Sequence, residues 1–193
     1  MNVVDEVVAA VEAGQLVVIP TDTVYGLACR PDQEETVRAL SAVKGRSVGQ
    51  PVALVAASVD AVVELVPELA GRAVPRGAFT VVLPNPARRL PWLAGARPDT
   101  IGVRIPDALG VAAELIGRVG AIAATSANVH GGADPRRLAD VPRGILDAVG
   151  AVLDGGELPG TPSTVVDLTG PEPRVLREGA VPAAEALARV LDA

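Results

Sequence analysis

Lysine occurs once in this chain, at Lys44, among 17 lysines and arginines. A GC-rich genome would favour arginine in this way. A lysine that persists under such a bias marks a site that wants a compact ammonium and not a planar guanidinium. Aromatic residues are nearly missing, with one Trp, one Tyr and one Phe, which excludes a base-stacking platform for single-stranded nucleic acid. Cys29 is the only cysteine, so there can be no internal disulfide and no cysteine-rich zinc site. His130 is the only histidine, which rules out a multi-histidine metal centre. Its position four residues after Ser126, in a glycine turn, is a poor basis for a Ser-His triad. No apolar run approaches the roughly 20 residues that span a bilayer, and the acidic start of the chain lacks the basic and apolar parts of a signal peptide. The formal net charge of -6 argues against a broad phosphate-binding surface while leaving room for a local basic cavity. These absences predict a soluble cytoplasmic protein, off the membrane, with weak or absent nucleic-acid binding.

What is present is aliphatic. Apolar residues make up 49% of 193 residues, enough for a sizeable core of Val, Leu, Ile and Ala in one domain spanning residues 1–193. Helical spacing is read over Val3 to Ala13, Glu34 to Val43, Asp107 to Ile116, Ile145 to Val149 and Ala183 to Leu191. Ser58 is placed as the N-cap of a helix running to Leu65, and a short helix is expected near Glu68 to Ala73. Strands are expected at Gln15 to Pro20, Val52 to Ala56, Phe79 to Leu83, Ile101 to Ile105, Ala121 to Ala124, Ala151 to Leu153 and Thr164 to Leu168. Alternation without strict pairing points to an α/β or α+β fold, a sheet with helices on its faces. The Pro- and Gly-rich stretch Pro84 to Pro98 reads as an irregular or functional connection inside that domain.

Five polar motifs each follow or end an apolar strand, where open sheets bind their ligands. Pro20-Thr21-Asp22-Thr23-Val24-Tyr25-Gly26-Leu27 offers two hydroxyls, Thr21 and Thr23, to a cavity. Lys44-Gly45-Arg46 converges two cations through a glycine that admits close backbone approach. Ile101-Gly102-Val103-Arg104-Ile105-Pro106 sets an arginine in an apolar strand; buried, it must meet a carboxylate or phosphate, whether of a ligand or of the protein itself. Ala123-Ala124-Thr125-Ser126-Ala127-Asn128 runs from small residues into hydroxyl and amide groups. Ser163-Thr164-Val165-Val166-Asp167 and Arg177-Glu178-Gly179-Ala180 complete the set. Neither a Gly-x-x-x-x-Gly-Lys-Ser/Thr phosphate loop nor a Gly-x-Gly-x-x-Gly fingerprint occurs. Sites rich in Thr, Ser, Asn and Arg, without an obvious nucleophile or general base, suit catalysis by alignment and charge stabilisation, for which phosphoryl or nucleotidyl transfer is the natural reaction class.

In this order, PTDTVYGL, KGR, GVRIP, TSAN, STVVD and LREGA resemble the YrdC/Sua5 (TsaC) family in its short form, over about Thr21 to Ala180. The resemblance implies a twisted mixed sheet with flanking helices around a large concave, positively charged cavity. It implies a nucleotidyltransferase that makes L-threonylcarbamoyladenylate and pyrophosphate from L-threonine, bicarbonate and ATP, for the threonylcarbamoyl modification of adenosine 37 in tRNA, alongside tRNA-modification partner proteins. Carried over, Lys44 and Arg46 are the catalytic, phosphate-handling pair. Thr21 or Thr23, Arg104, Ser126 and Ser163 fall on the threonine side; Thr100, Asn128 and Arg177 join Lys44 and Arg46 on the nucleotide side. Mg²⁺ would enter with the ATP phosphates, without a dedicated protein metal site.

The chain departs from the family pattern at Arg46-Ser47, at Val74-Pro75-Arg76-Gly77-Ala78-Phe79-Thr80, at Asp107-Ala108-Leu109, where a histidine is common, and at Asn128-Val129-His130-Gly131. These departures bear on substrate fit more than on fold. Three other readings compete: a carbamoyl-adenylate-forming domain of the hydrogenase-maturation kind, a double-stranded RNA-binding module, and a degenerate paralogue that binds nucleotide without turnover.

Overall fold

The computed structural model describes residues 2–46, 49–72, 74–107 and 110–192. Helix α1 (Val3–Glu12) leads into β1 (Val17–Ile19) and β2 (Gly26–Cys29), followed by α2 (Glu34–Val43), β3 (Ala53–Ala56) and α3 (Val59–Leu65). Next come β4 (Phe79–Pro84), β5 (Thr100–Arg104), α4 (Gly110–Val119) and β6 (Ala121–Ser126). The chain closes with α5 (Arg143–Leu146), β7 (Ala151–Val152), β8 (Thr164–Asp167), β9 (Arg174–Arg177) and α6 (Ala183–Leu191). Among the described residues the strands form one mixed sheet in the order β7-β1-β2-β6-β3-β5-β4-β8-β9. The pairs β1–β7, β3–β5 and β4–β8 are parallel and the others antiparallel.

Strand alternation decides what each face carries, because successive side chains point to opposite sides. Val17 and Ile19 of β1, Val55 of β3 and Ile122 and Ala124 of β6 turn to one face, beneath Val4, Val7, Val8 and Val11 of α1 and Leu115 and Ile116 of α4. Each such valine contributes about 1.5–3 kcal/mol when fully buried. Val18, Leu54 and Ala123 turn the other way, against Val37 and Leu40 of α2 and Val62 of α3. Phe79, Val81, Ile101 and Val103 extend that second face through β4 and β5. Among the described residues the cluster beneath α1 and α4 takes nothing from β4, β5 or β8. On that side these strands instead present Thr80, Val82, Gly102, Arg104 and Val165 to an open cavity.

Helix ends follow local chemistry. Asn2 caps α1 reciprocally with Asp5: the Asp5 N–H donates to Asn2 Oδ1 and the Asn2 N–H to Asp5 Oδ2, both at 2.8 Å. Ser58 caps α3 by accepting from the Ala61 N–H at 3.2 Å. Three expectations shift. The helix expected from Asp107 to Ile116 runs from Gly110 to Val119, passing through Gly117 and stopping at Gly120, whose N–H donates to Ile116 O; Ala108 and Leu109 lie outside the described residues. The short helix near Glu68 to Ala73 is a 3₁₀ turn at Pro67–Leu69, with Ala73 outside the described residues. The one at Ile145 to Val149 forms earlier, at Arg143–Leu146. Strand β2, hidden within the Tyr25-Gly26-Leu27 motif, was not expected; all four of its residues are buried.

Candidate functional site

The cavity has a volume of about 400 Å³, inside the range typical of small-molecule pockets, about 300–1,000 Å³. Of the residues singled out in the sequence, Thr21, Thr23, Thr100, Arg104, Ser126, Ser163 and Arg177 line it. Lys44, Arg46 and Asn128 are not in the lining; they sit behind its β6 end, bonded to residues that are.

At the floor, Arg104 is buried, with 7% exposed. It forms an ion pair with Asp22, and both of its terminal nitrogens donate to Thr23 Oγ1 at 3.2 Å. The second oxygen of Asp22 accepts from the Asp107 N–H at 3.2 Å. Arg104 Nε is buried without a partner among the described residues. Burial pushes the guanidinium pKa below its ordinary value, Asp22 opposes that shift, and nearby Arg177 adds to it. The protein therefore supplies a carboxylate to this arginine before any ligand does. Thr21 has a different task. Its Oγ1 donates to Val24 O at 2.7 Å and accepts from the N–H groups of Thr23 and Val24, so it organises the turn, while Thr23 Oγ1 lies between Thr21 and Arg104.

Behind β6 the single lysine closes a network. Lys44 is 4% exposed, and its Nζ donates to Ser126 O, to Asn128 O at 2.8 Å and to Asn128 Oδ1 at 2.7 Å. Burial, and next the charge of Arg46, lower its pKa to about 8, while Asp134 works in the opposite direction. Gly45, at φ +64, adopts the left-handed conformation that glycine tolerates, and so turns the chain out of α2 between the two cations. Arg46 then reaches Thr125 Oγ1 at 3.4 Å, leaving Nε and Nη2 buried and, among the described residues, without partners. Burial lowers its pKa. Unsatisfied buried donors are costly, and these two sit beside a hydroxyl that lines the cavity.

The opposite wall is clamped from β9. Arg177 donates from Nε and Nη2 to Ser163 O at 3.2 and 2.7 Å, and Ser163 Oγ lies 3.2 Å from Thr80 Oγ1. Gly179 permits that approach: a Cβ there would collide with the backbone of Pro162 and Ser163. Among the described residues Arg177 has no carboxylate partner within ion-pair distance. Thr100 donates to Arg97 O at 2.9 Å.

Three participants were not expected from the sequence. Asp22 stood inside a quoted motif but was passed over for its hydroxyl neighbours. Arg97, in the Pro84 to Pro98 stretch, lines the cavity and pairs with Asp167 at 2.9 Å and Thr169 at 2.7 Å. Asp134 accepts from Asn128 Nδ2 at 3.2 Å. The His130 ring is exposed near Gln50, while its backbone N–H donates to Lys44 O at 3.0 Å. Cys29 is fully buried on the opposite face of the sheet, its thiol pushed up to about 11 by burial. Among the described residues no group of three His, Cys, Asp or Glu side chains could hold a metal ion, and no helix is long and apolar enough to cross a membrane.

Arginines and hydroxyls at strand ends line the cavity of this α/β protein, side chains able to meet a small polar anion. The family model described as telomere recombination (Sua5/YciO/YrdC) matches residues 9–179, and the chain belongs to this family. A Mycobacterium tuberculosis protein, provisionally named a threonylcarbamoyl-AMP synthase, is 39% identical over 191 residues, covering 95% of this chain and 87% of its own length. The threonylcarbamoyl-AMP synthase of Pyrococcus abyssi is 34% identical over 183 residues, covering 91% of this chain and 53% of its own. Sua5 of P. abyssi, solved as a complex with L-threonine, superposes with a TM-score of 0.85 at 31% identity. That alignment takes in 97% of this chain and 57% of the archaeal one, so this chain spans little more than half of it. Escherichia coli YciO, at 23% identity and a TM-score of 0.75 over 95% of this chain and 92% of its own, shares the fold.

Proposed function

We propose that this protein is an L-threonylcarbamoyladenylate synthase, a nucleotidyltransferase using L-threonine, bicarbonate and ATP with Mg²⁺ and supplying the tRNA adenosine 37 modification. The observation that carries this reading is the convergence, in and behind one cavity, of buried Arg104, the Thr21 and Thr23 hydroxyls, and the neighbouring cations Lys44 and Arg46, the latter with two donor nitrogens unpartnered among the described residues, at the positions of the family motifs. Relatives bearing the synthase name and the threonine complex of the archaeal protein support it.

In this reading the threonine carboxylate meets Arg104, whose Nε is unpartnered and whose charge Asp22 holds in place, with the Thr23 hydroxyl beside it. The threonine amine and bicarbonate combine to a carbamate with loss of water. A carbamate oxygen then attacks the α-phosphorus, the bond to the bridging oxygen breaks, and pyrophosphate carries the electron pair away. Arg46 meets the phosphates with its two free N–H groups, and Arg177 meets the nucleotide across from it. Nothing in this scheme asks the protein for a strong base; alignment and fixed positive charge do the work. Asp22 and Asp167, the carboxylates paired with the cavity-lining arginines Arg104 and Arg97, are so engaged, and Mg²⁺ belongs on the ATP phosphates, with no step assigned to a protein-held metal.

The test is a mass-spectrometric assay of the purified protein with ATP, Mg²⁺, bicarbonate and L-threonine, with L-serine in parallel and Arg46→Gln as control. Threonine-dependent threonylcarbamoyladenylate and pyrophosphate, lost in Arg46→Gln, is the expected result. ATP binding without product would mean a nucleotide-binding paralogue instead.

A further inference from the structure

The side chain of Asn128 is saturated. Its Nδ2 donates to Gly132 O at 2.7 Å and to Asp134 Oδ1 at 3.2 Å, while its Oδ1 accepts from Lys44 Nζ and from Ser126 Oγ, both at 2.7 Å. A primary amide has nearly the same shape when turned end for end, so its neighbours decide which end faces which way. An ammonium can only donate and a carboxylate can only accept. Lys44 on one side and Asp134 on the other leave a single satisfied orientation; the reverse would set NH₂ against NH₃⁺ and a carbonyl against a carboxylate. Asp134 is itself held in place. It is partly buried, and the next residue, Pro135, is buried and accepts from the Tyr25 N–H at 2.9 Å, which moors the turn to the start of β2.

We propose that Asp134 is a positioning residue of the site: it locks the Asn128 amide so that its oxygen stays on Lys44 and Ser126. The proposal rests on the functional reading above only for its effect on turnover. The locking itself is a property of the fold. A second consequence is electrostatic. The charged groups that face Lys44 are Arg46, from the turn leaving α2, and Asp134, from the turn after β6; the former disfavours the ammonium and the latter favours it. The remaining contacts are neutral oxygens of Ser126 and Asn128, and His130 touches Lys44 through its backbone N–H alone. Loss of the Asp134 charge must therefore move the Lys44 titration downward.

Because the chain has one lysine, this can be read without assignment. In protein grown with ¹³Cε-lysine, a single side-chain signal is titrated in wild type, Asp134→Asn and Asp134→Ala, alongside hydrogen exchange of the Asn128 amide protons. The wild-type midpoint is expected near about 8, with both variants lower. Faster Asn128 exchange is expected in Asp134→Ala than in Asp134→Asn, which keeps an acceptor oxygen. With threonine, bicarbonate and ATP as substrates, Asp134→Ala is expected to lose roughly tenfold in kcat, the scale of one charge-assisted hydrogen bond, with KM for threonine little changed and the loss growing at alkaline pH. Coincident lysine titrations together with equal Asn128 exchange would overturn the proposal, whatever the activities. Faster Asn128 exchange in Asp134→Ala, with a displaced titration, in a protein that makes no product would uphold it while sinking the functional reading. Should Asp134→Ala fail to fold, Asn128 exchange in Asp134→Asn against wild type decides, unchanged exchange overturning the proposal and faster exchange upholding it.

Discussion

Replacing Asp22 by alanine strands a buried cation. The side chains of Asp22 and Arg104 are 11% and 9% exposed, and among the described residues Arg104 has no other carboxylate within ion-pair distance, Asp107 acting on it from farther off. Breaking a buried pair from one side costs about 3–5 kcal/mol. Arg104 keeps two bonds to Thr23 and borders a cavity that water can enter, so the low end, about 3 kcal/mol, applies. With a urea slope of about 2 kcal/mol/M, the unfolding midpoint falls by about 1.5 M. Removing both partners, in Asp22→Ala/Arg104→Met, leaves no orphaned charge and recovers most of that loss, because apolar replacement of a whole buried pair is close to neutral. A carboxylate ligand discriminates further: millimolar L-threonine should raise the melting temperature of Asp22→Ala more than that of wild type, by filling the place Asp22 left. If Asp22→Ala loses under about 1 kcal/mol, or the double variant is no more stable than the single, the pair is not the buried unit described and the reasoning fails.

Arg46→Gln removes a desolvated cation with two unpaired N–H groups, so its melting temperature should hold or rise while ATP affinity, read by calorimetry, drops tenfold or more. Tyr25→Phe deletes a hydroxyl that donates to Asp154 at 2.7 Å and accepts from the Gly155 N–H at 3.0 Å; it should cost about 1–3 kcal/mol and speed hydrogen exchange at Gly155 and Gly156. The Lys44 pKa, lowered from 10.5 to about 8, means that the folded state sheds this proton first. Stability should therefore rise as pH climbs from about 8 to 10.5, the unfolded chain binding more protons in that window, and Lys44→Met should lack the rise. Tyr25, raised from 10 to about 12 chiefly by burial, has the opposite sign, so its share of stability is lost above pH 10; denaturant titrations from pH 7 to 11 separate the two.

Much of the architecture was legible because aliphatic runs bounded by Gly, Pro and Ser are read locally. The bounds of α2 and α6 match the sequence reading, and Ser58 caps its helix. The misread parts are those where tertiary context overrides local signal. Gly-Ala-rich β2 carries little strand propensity and forms because β1 and β6 flank it. Gly117 looks like a helix stop, yet α4 is carried past it by the burial of Leu115 and Ile116 against α1. Within the site, residue types led to side chains that line or adjoin the cavity but not to their partnerships. That Arg104 meets Asp22 and Arg97 meets Asp167 depends on strands brought together across 82 and 70 residues of chain, a separation at which no spacing rule operates.

The solitary lysine acquires a physical reason from this geometry. Its Nζ meets three oxygens, from Ser126 O and from both the backbone and side-chain oxygens of Asn128, converging on one atom. An ammonium offers three donors from a single point and matches that arrangement; a guanidinium spreads five donors over a rigid plane and cannot direct three of them into it. Two residues on, Arg46 faces a different demand, one hydroxyl at 3.4 Å and no cluster of oxygens converging on a single point, and there a guanidinium serves. A genome that turns lysine into arginine wherever arginine serves would act freely on Arg46 and not on Lys44. The composition of the whole chain thus points to the one lysine, whose ammonium bonds the β6 turn from within.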